Sequence, residues 1–177
     1  DILTLQDGGN VGIGTSAPSV DLELKASAGA EIKLTRTAGN TSGQLGALTF
    51  GNVDVDTGQG GVKMYQDGAT DSSNMQFLTQ STGGAATTKV IITNSGEVGI
   101  NTTSPSNELQ VCKLNGTPSI SIERKDDTIV DGDAIGSIYF NMVDADGTTD
   151  EDVGAVIQAI AAQTHDTANF GCDLAVT

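Results

Sequence analysis

The residues best suited to chemistry lie in one acidic stretch. Asp144-Ala145-Asp146-Gly147-Thr148-Thr149-Asp150 places carboxylates at alternating positions around a glycine. That is the opening of a calcium loop, in which Asp144, Asp146 and Asp150 would supply hard oxygen ligands. A complete loop closes with a bidentate glutamate at the twelfth position, and Ala155 stands there. A solvated turn is therefore the expectation, with no metal and no cofactor. The one histidine, His165, sits in the polar run Gln163-Thr164-His165-Asp166-Thr167. Nucleophilic catalysis needs a nucleophile, a base and an orienting group. No serine stands in a pattern that would pair with His165, so an exposed loop residue is expected. Gly12-Ile13-Gly14 starts like a dinucleotide-binding turn, but that fingerprint needs a third glycine and a following helix. Pro18 stands where the helix would run. No pair of carboxylates is marked out for glycoside cleavage. The residues thus point away from an enzyme.

Cys112 and Cys172 belong to no CxxC pair and lack the neighbouring ligands of a metal site. Small apolar core positions are expected for both, and a disulfide between them is left open. The formal net charge is −15, and the eight basic residues are scattered. Nucleic-acid binding needs a basic face to neutralise phosphates, and an anionic membrane would repel this chain. Neither is an expected partner. No apolar run is long enough for a membrane-spanning helix. Hydrophobic residues make up 37% of the 177, and aromatics 3%. That is lean for a monomer that must fill its own core, and sufficient for a chain that buries its faces against copies of itself.

What must position these residues is a duplication. Gly9-Asn10-Val11-Gly12-Ile13-Gly14-Thr15-Ser16-Ala17-Pro18-Ser19 returns as Gly96-Glu97-Val98-Gly99-Ile100-Asn101-Thr102-Thr103-Ser104-Pro105-Ser106. Leu3-Thr4-Leu5 matches Val90-Ile91-Ile92 before it, and Leu22 and Leu24 match Leu109 and Val111 after it. Further on, Ile32, Leu34 and Arg36 match Ile120, Ile122 and Arg124. Gly46-Ala47-Leu48-Thr49-Phe50 matches Gly136-Ser137-Ile138-Tyr139-Phe140, and Phe77-Leu78-Thr79 is set against Ala175-Val176-Thr177. The chain divides into units 1–88 and 89–177, with glycine motifs at 8–19 and 95–106, and the phase leaves both ends in mid-unit.

Each unit reads as short strands. Residues 21–25, 31–35 and 119–123 alternate polar and apolar. Ile138, Phe140 and Met142 share one face of a strand, and Phe170, Cys172, Leu174 and Val176 share another. Loops rich in Gly, Asp, Asn, Ser and Thr separate them. Residues 153–163 are alanine-rich enough for a helix, and the repeat assigns them to a strand. In the glycine motif, Val11 and Ile13 face one way and the glycines the other, so another backbone can come close. Pro18 and Pro105 lack a donor N–H and stop the strand. The motif encodes strand, corner, strand.

The pattern G-x-V-G-I-G-T-x-x-P-S-x-x-L-x-V resembles the shaft repeat of phage tail fibres and tailspike-like proteins, of the type found upstream of endosialidase-type intramolecular chaperone domains. The elements at 136–140, 144–147 and 154–159 are similar too. The second copy departs from the family pattern at Asn101, where glycine is preferred, which would loosen packing there. The resemblance implies an all-β, intertwined homotrimeric fibre (β-prism or triple-β-helix-like) in an extracellular virion. Its partners would be itself, adjoining fibre segments, and a host receptor or glycan. The chaperone domain and its Ser-Lys chemistry have no counterpart here. A structural shaft segment is the leading expectation, and a receptor- or glycan-binding adhesin module the alternative.

Overall fold

The computed structural model describes residues 3–37, 42–69, 71–142, 152–162 and 172–176. The chain falls into two compact units, Asp1–Thr117 and Pro118–Thr177. Among the described residues every regular element is a strand, in three sheets.

The first unit holds two sheets. One is small, with β1 (Leu3–Leu5), β2 (Val11–Ile13) and β3 (Leu22–Leu24) in that order. The other has six strands in sequence order: β4 (Ser42–Asn52), β5 (Asp56–Asp67), β6 (Ser73–Gln80), β7 (Ala86–Ile92), β8 (Val98–Ile100) and β9 (Leu109–Val111). No strand of the small sheet contacts the large one among the described residues. The second unit is a meander of β10 (Ala134–Met142), β11 (Asp152–Ala161) and β12 (Cys172–Val176). Residues 152–161 form a strand despite their alanines. Paired on both sides by β10 and β12, they follow their sheet context rather than their intrinsic propensity.

Register sets one apolar face on the large sheet. Leu48, Val62, Phe77, Val90, Ile100 and Val111 are successive cross-strand neighbours over all six strands. Two residues along, Met64, Met75, Ile92, Val98 and Leu109 make a second row, opening at Gly46. The intervening positions carry Lys63, Gln76 and Gln110 on the opposite face, as the two-residue period requires, together with Ile91 and Leu78, which are buried there. The meander repeats the plan. Ile138 pairs Ile157, and Gly136 pairs Ala159, which pairs Leu174.

Three expectations need correction. Residues 31–35 and 119–123 alternate like strands but form none within the chain; alternation creates a half-buried strand only where an edge is available to pair with. Phe77 corresponds to Val176 rather than Ala175, because Val62 pairs Phe77 and Ile157 pairs Val176. A one-residue slip reverses the faces, so the sequence alignment had inverted β12 relative to β6. Cys172 is exposed rather than a core residue, and Cys112 is half-buried; the two lie in different units. The acidic loop with Asp144, Asp146 and Asp150, as well as His165 and Phe170, lies outside the described residues.

Candidate assembly surface

The glycine motif builds the same corner twice. In the first copy a hairpin joins β1 to β2, closed by Gly9 N–H donating to Gln6 O at 2.9 Å and Gln6 N–H to Asn10 O at 3.0 Å. In the second, Gly96 N–H donates to Thr93 O at 3.1 Å and Thr93 N–H to Glu97 O at 3.0 Å. Gly9 and Gly96 take φ of 88° and 97°, a region that glycine enters without a Cβ penalty. The chain then turns and returns parallel to the strand just left. β3 pairs β2 in parallel, and β9 pairs β8, in identical register. Parallel neighbours usually need a crossover of about a dozen or more residues. Here eight residues suffice, from Gly14 to Asp21.

Local chemistry makes so short a return possible. Gly14 and Asn101 both adopt left-handed backbone, with φ of 76° and 56°. The departure from glycine at 101 therefore keeps the corner, because asparagine tolerates that region. The Thr15 carbonyl folds over Gly12, so a Cβ there would lie 2.5 Å from it; at Gly99 the Thr102 carbonyl would be 2.8 Å away. The close backbone approach expected at these glycines is thus made by the chain itself. Pro18 is buried against Gly12, and Pro105 is half-buried. Val11 N–H to Asp21 O and Val98 N–H to Glu108 O, both 2.7 Å, tie in the returning strand.

A side-chain lock closes each corner, between a serine and a Glu or Gln four residues on. Ser19 N–H and Oγ donate to Glu23 Oε2 at 2.8 and 3.1 Å. Ser106 N–H and Oγ donate to Gln110 Oε1 at 2.9 and 3.4 Å. The Ser19 backbone amide, then its hydroxyl, hold the Glu23 carboxyl below the ordinary value, and Lys25 adds to this. The second corner carries its carboxylate elsewhere. The Thr93 hydroxyl donates to Glu97 and lowers its pKa.

The arginines that match between repeats also have a common task. Arg36 Nη1 donates to Ser42 O at 2.9 Å and Nη2 to Gln66 Oε1 at 2.6 Å. Arg124 Nη1 donates to Ala134 O at 3.1 Å, and Nη2 pairs Asp126 at 2.7 Å and Asp133 at 3.2 Å. The Asp126 hydrogen bond is the main cause of the raised Arg124 pKa. Each guanidinium pins an extended segment beside the start of a long strand. Leu34 and Ile122 are thereby seated over glycines: a Cβ at Gly46 would meet Leu34 Cβ at 2.8 Å, and one at Gly136 would meet Ile122 Cγ2 at 2.5 Å. Ile32 and Leu34 rim a groove over Gly46, Leu48, Val62, Met64 and Met75. Ile122 rims its counterpart over Gly136, Ile138, Ile157 and Leu174.

These apolar faces are largely uncovered. Among the described residues only Leu78, Ile91 and Ala161 are buried hydrophobics. Leu3 is 60% exposed, Leu48 54%, Phe50 65% and Ile120 71%. No group of three or more His, Cys, Asp or Glu that could hold a metal occurs among the described residues. In comparisons with known proteins, no family model matches the chain and no curated protein matches it.

Proposed function

We propose that this chain is a structural shaft segment of a viral fibre, non-enzymatic, that assembles as a homotrimer and holds a host-attachment part away from the particle. The carrying observation is the repeated sheet with one continuous apolar face left open in both units. Such a face needs a partner surface, and the acidic remainder keeps an assembled fibre soluble. The duplicated corner supports a mechanical role, since it is a backbone device with no reactive group. Light scattering on the purified chain tests the proposal. A mass near three times 17.9 kDa is expected; a monomer that unfolds cooperatively would overturn it.

A glycan-binding module is the second reading. It is favoured by an open, polar cleft of about 430 Å³ between the β4–β5 and β6–β7 loops, lined by Val55, Asp56, Gln59, Gln80 and residues 81–84. No aromatic ring lines this cleft, whereas sugar sites commonly stack a ring. Saturable hits on a glycan array, lost in Asp56→Ala, would move this reading ahead.

A further inference from the structure

We propose that Asn115 is a site of spontaneous covalent self-modification, converting to aspartate and β-linked isoaspartate through a cyclic imide formed with the Gly116 backbone nitrogen. Asn115-Gly116 is the one Asn-Gly step in the chain. It lies just before the boundary between the two units, at Thr117 and Pro118. Asparagine is a thermally labile residue, and a following glycine leaves its backbone nitrogen open because no Cβ shields it. Residues 113–120 are all exposed, so water reaches the step.

The duplication supplies an internal comparison. The turn Lys113-Leu114-Asn115-Gly116 is the counterpart, at the repeat offset, of Ala26-Ser27-Ala28-Gly29. The first turn is closed by Gly29 N–H donating to Ala26 O at 3.3 Å, with Gly29 at φ 100°. In the second, the left-handed residue is Asn115 itself, at φ 55°. Among the described residues neither the Gly116 N–H nor the Asn115 side chain makes a hydrogen bond. The nucleophile and the amide it attacks are thus both uncommitted. A Cβ at Gly116 would meet Lys113 Cε at 3.0 Å and Cδ at 3.2 Å, so the Lys113 stem lies along the glycine, with its ammonium one bond beyond. A cation there stabilises the amide anion and the oxyanion that form during ring closure. The reaction balances with water alone. Solvent base removes the Gly116 amide proton, the nitrogen bonds to Asn115 Cγ, and the Cγ–Nδ2 bond breaks to release ammonia. Water then opens the ring at Cγ, giving aspartate, or at the Asn115 backbone carbonyl carbon, giving isoaspartate. Either product adds a carboxylate beside the boundary between the units, and isoaspartate also lengthens the backbone there by one atom.

The test is peptide mapping by mass spectrometry on the intact chain, aged at neutral and at mildly alkaline pH. Expected is that Asn115 loses its amide before every other asparagine, faster at the higher pH, with isoaspartate the larger product. Lys113→Gln should slow the conversion by up to about fivefold, the attraction of a unit charge at about 4 Å in water. Ala28→Asn creates a second Asn-Gly step in the hydrogen-bonded turn, which should convert more slowly than Asn115. Aspartate as the sole product would exclude the imide route, and equal rates at positions 28 and 115 would overturn the part assigned to the open turn. An Asn115 that keeps its amide in the folded chain, or loses it later than other asparagines, overturns the proposal outright. The wild-type map decides even if a variant misfolds. The readout does not depend on assembly, so it holds or fails separately from the fibre proposal.

Discussion

The two corners share their hairpin and return-strand backbone hydrogen bonds and their strand registers but have different surroundings. The first lies in a sheet of three short strands, where Ile13 is 42% exposed. The second continues a six-stranded sheet: its hairpin partner β7 also pairs β6, Ile100 is half-buried, and Ile91 is buried against Gly99. Because the geometry survives this change, it is encoded locally by the glycines, the proline and the Ser lock. Its stability, in contrast, comes from the neighbours. A corner of this kind is a modular joint that can be placed wherever a chain must double back within one sheet.

The comparison can be broken most directly at the apolar positions. Ile100→Asp removes roughly half of the about 1.5–3 kcal/mol that full burial of an isoleucine contributes and puts a charge beside the sheet. It should abolish both the cooperative melt and the assembled mass. Ile13→Asp, in the more open corner, should abolish assembly by light scattering while leaving the melt of the six-stranded sheet in place. The glycines come next. Gly12→Val and Gly99→Val each drive a side chain into the overlying Thr carbonyl and should cost about 1–3 kcal/mol, read as a shift in denaturation midpoint. A corner insensitive to this change would disprove the intrachain role assigned to these glycines.

A smaller effect separates Gly14 from Asn101. Asn101→Ala loses a residue suited to left-handed backbone and should cost about 1 kcal/mol, whereas Asn101→Gly should be neutral. Gly14→Asn should be the worst of these, because a Cβ there would lie against the Lys25 carbonyl. The smallest effect is acid titration of the lock. Glu23 has a folded pKa lowered from 4.5. Its stabilisation is complete above that value and disappears as pH falls through the lowered folded value. Gln110 does not titrate. The Ser19 amide resonance should therefore move in acid while that of Ser106 stays, and Glu23→Gln should remove the difference.

Much of this was legible in the residues. Period-two alternation, turn composition and the 87-residue offset between the glycine motifs defined an all-β chain with two matching corners. Even for residues 153–163, alanine-rich as they are, the repeat points to a strand, and the described part through 161 forms one. These features are local, so short windows of sequence carry them. Pairing is different. Residues 31–35 have the same alternation as residues 21–25, yet only the latter contain a strand, because hydrogen bonding depends on an edge elsewhere in the chain. The β12 register failed for a related reason. Its face is set by the ladder with β11, in which Ile157 pairs Val176, and no local pattern in residues 172–176 fixes that partner.

The sequence by itself determined strand content, the duplicated corner and the absence of a basic face, since each depends on residue type at short range. Only the tertiary structure decided that the corner closes parallel within one sheet, that Arg36 and Arg124 pin extended segments over glycines, and that the apolar face stays open. Those outcomes turn on which residues, distant in the chain, meet across a ladder, and no local pattern fixes that.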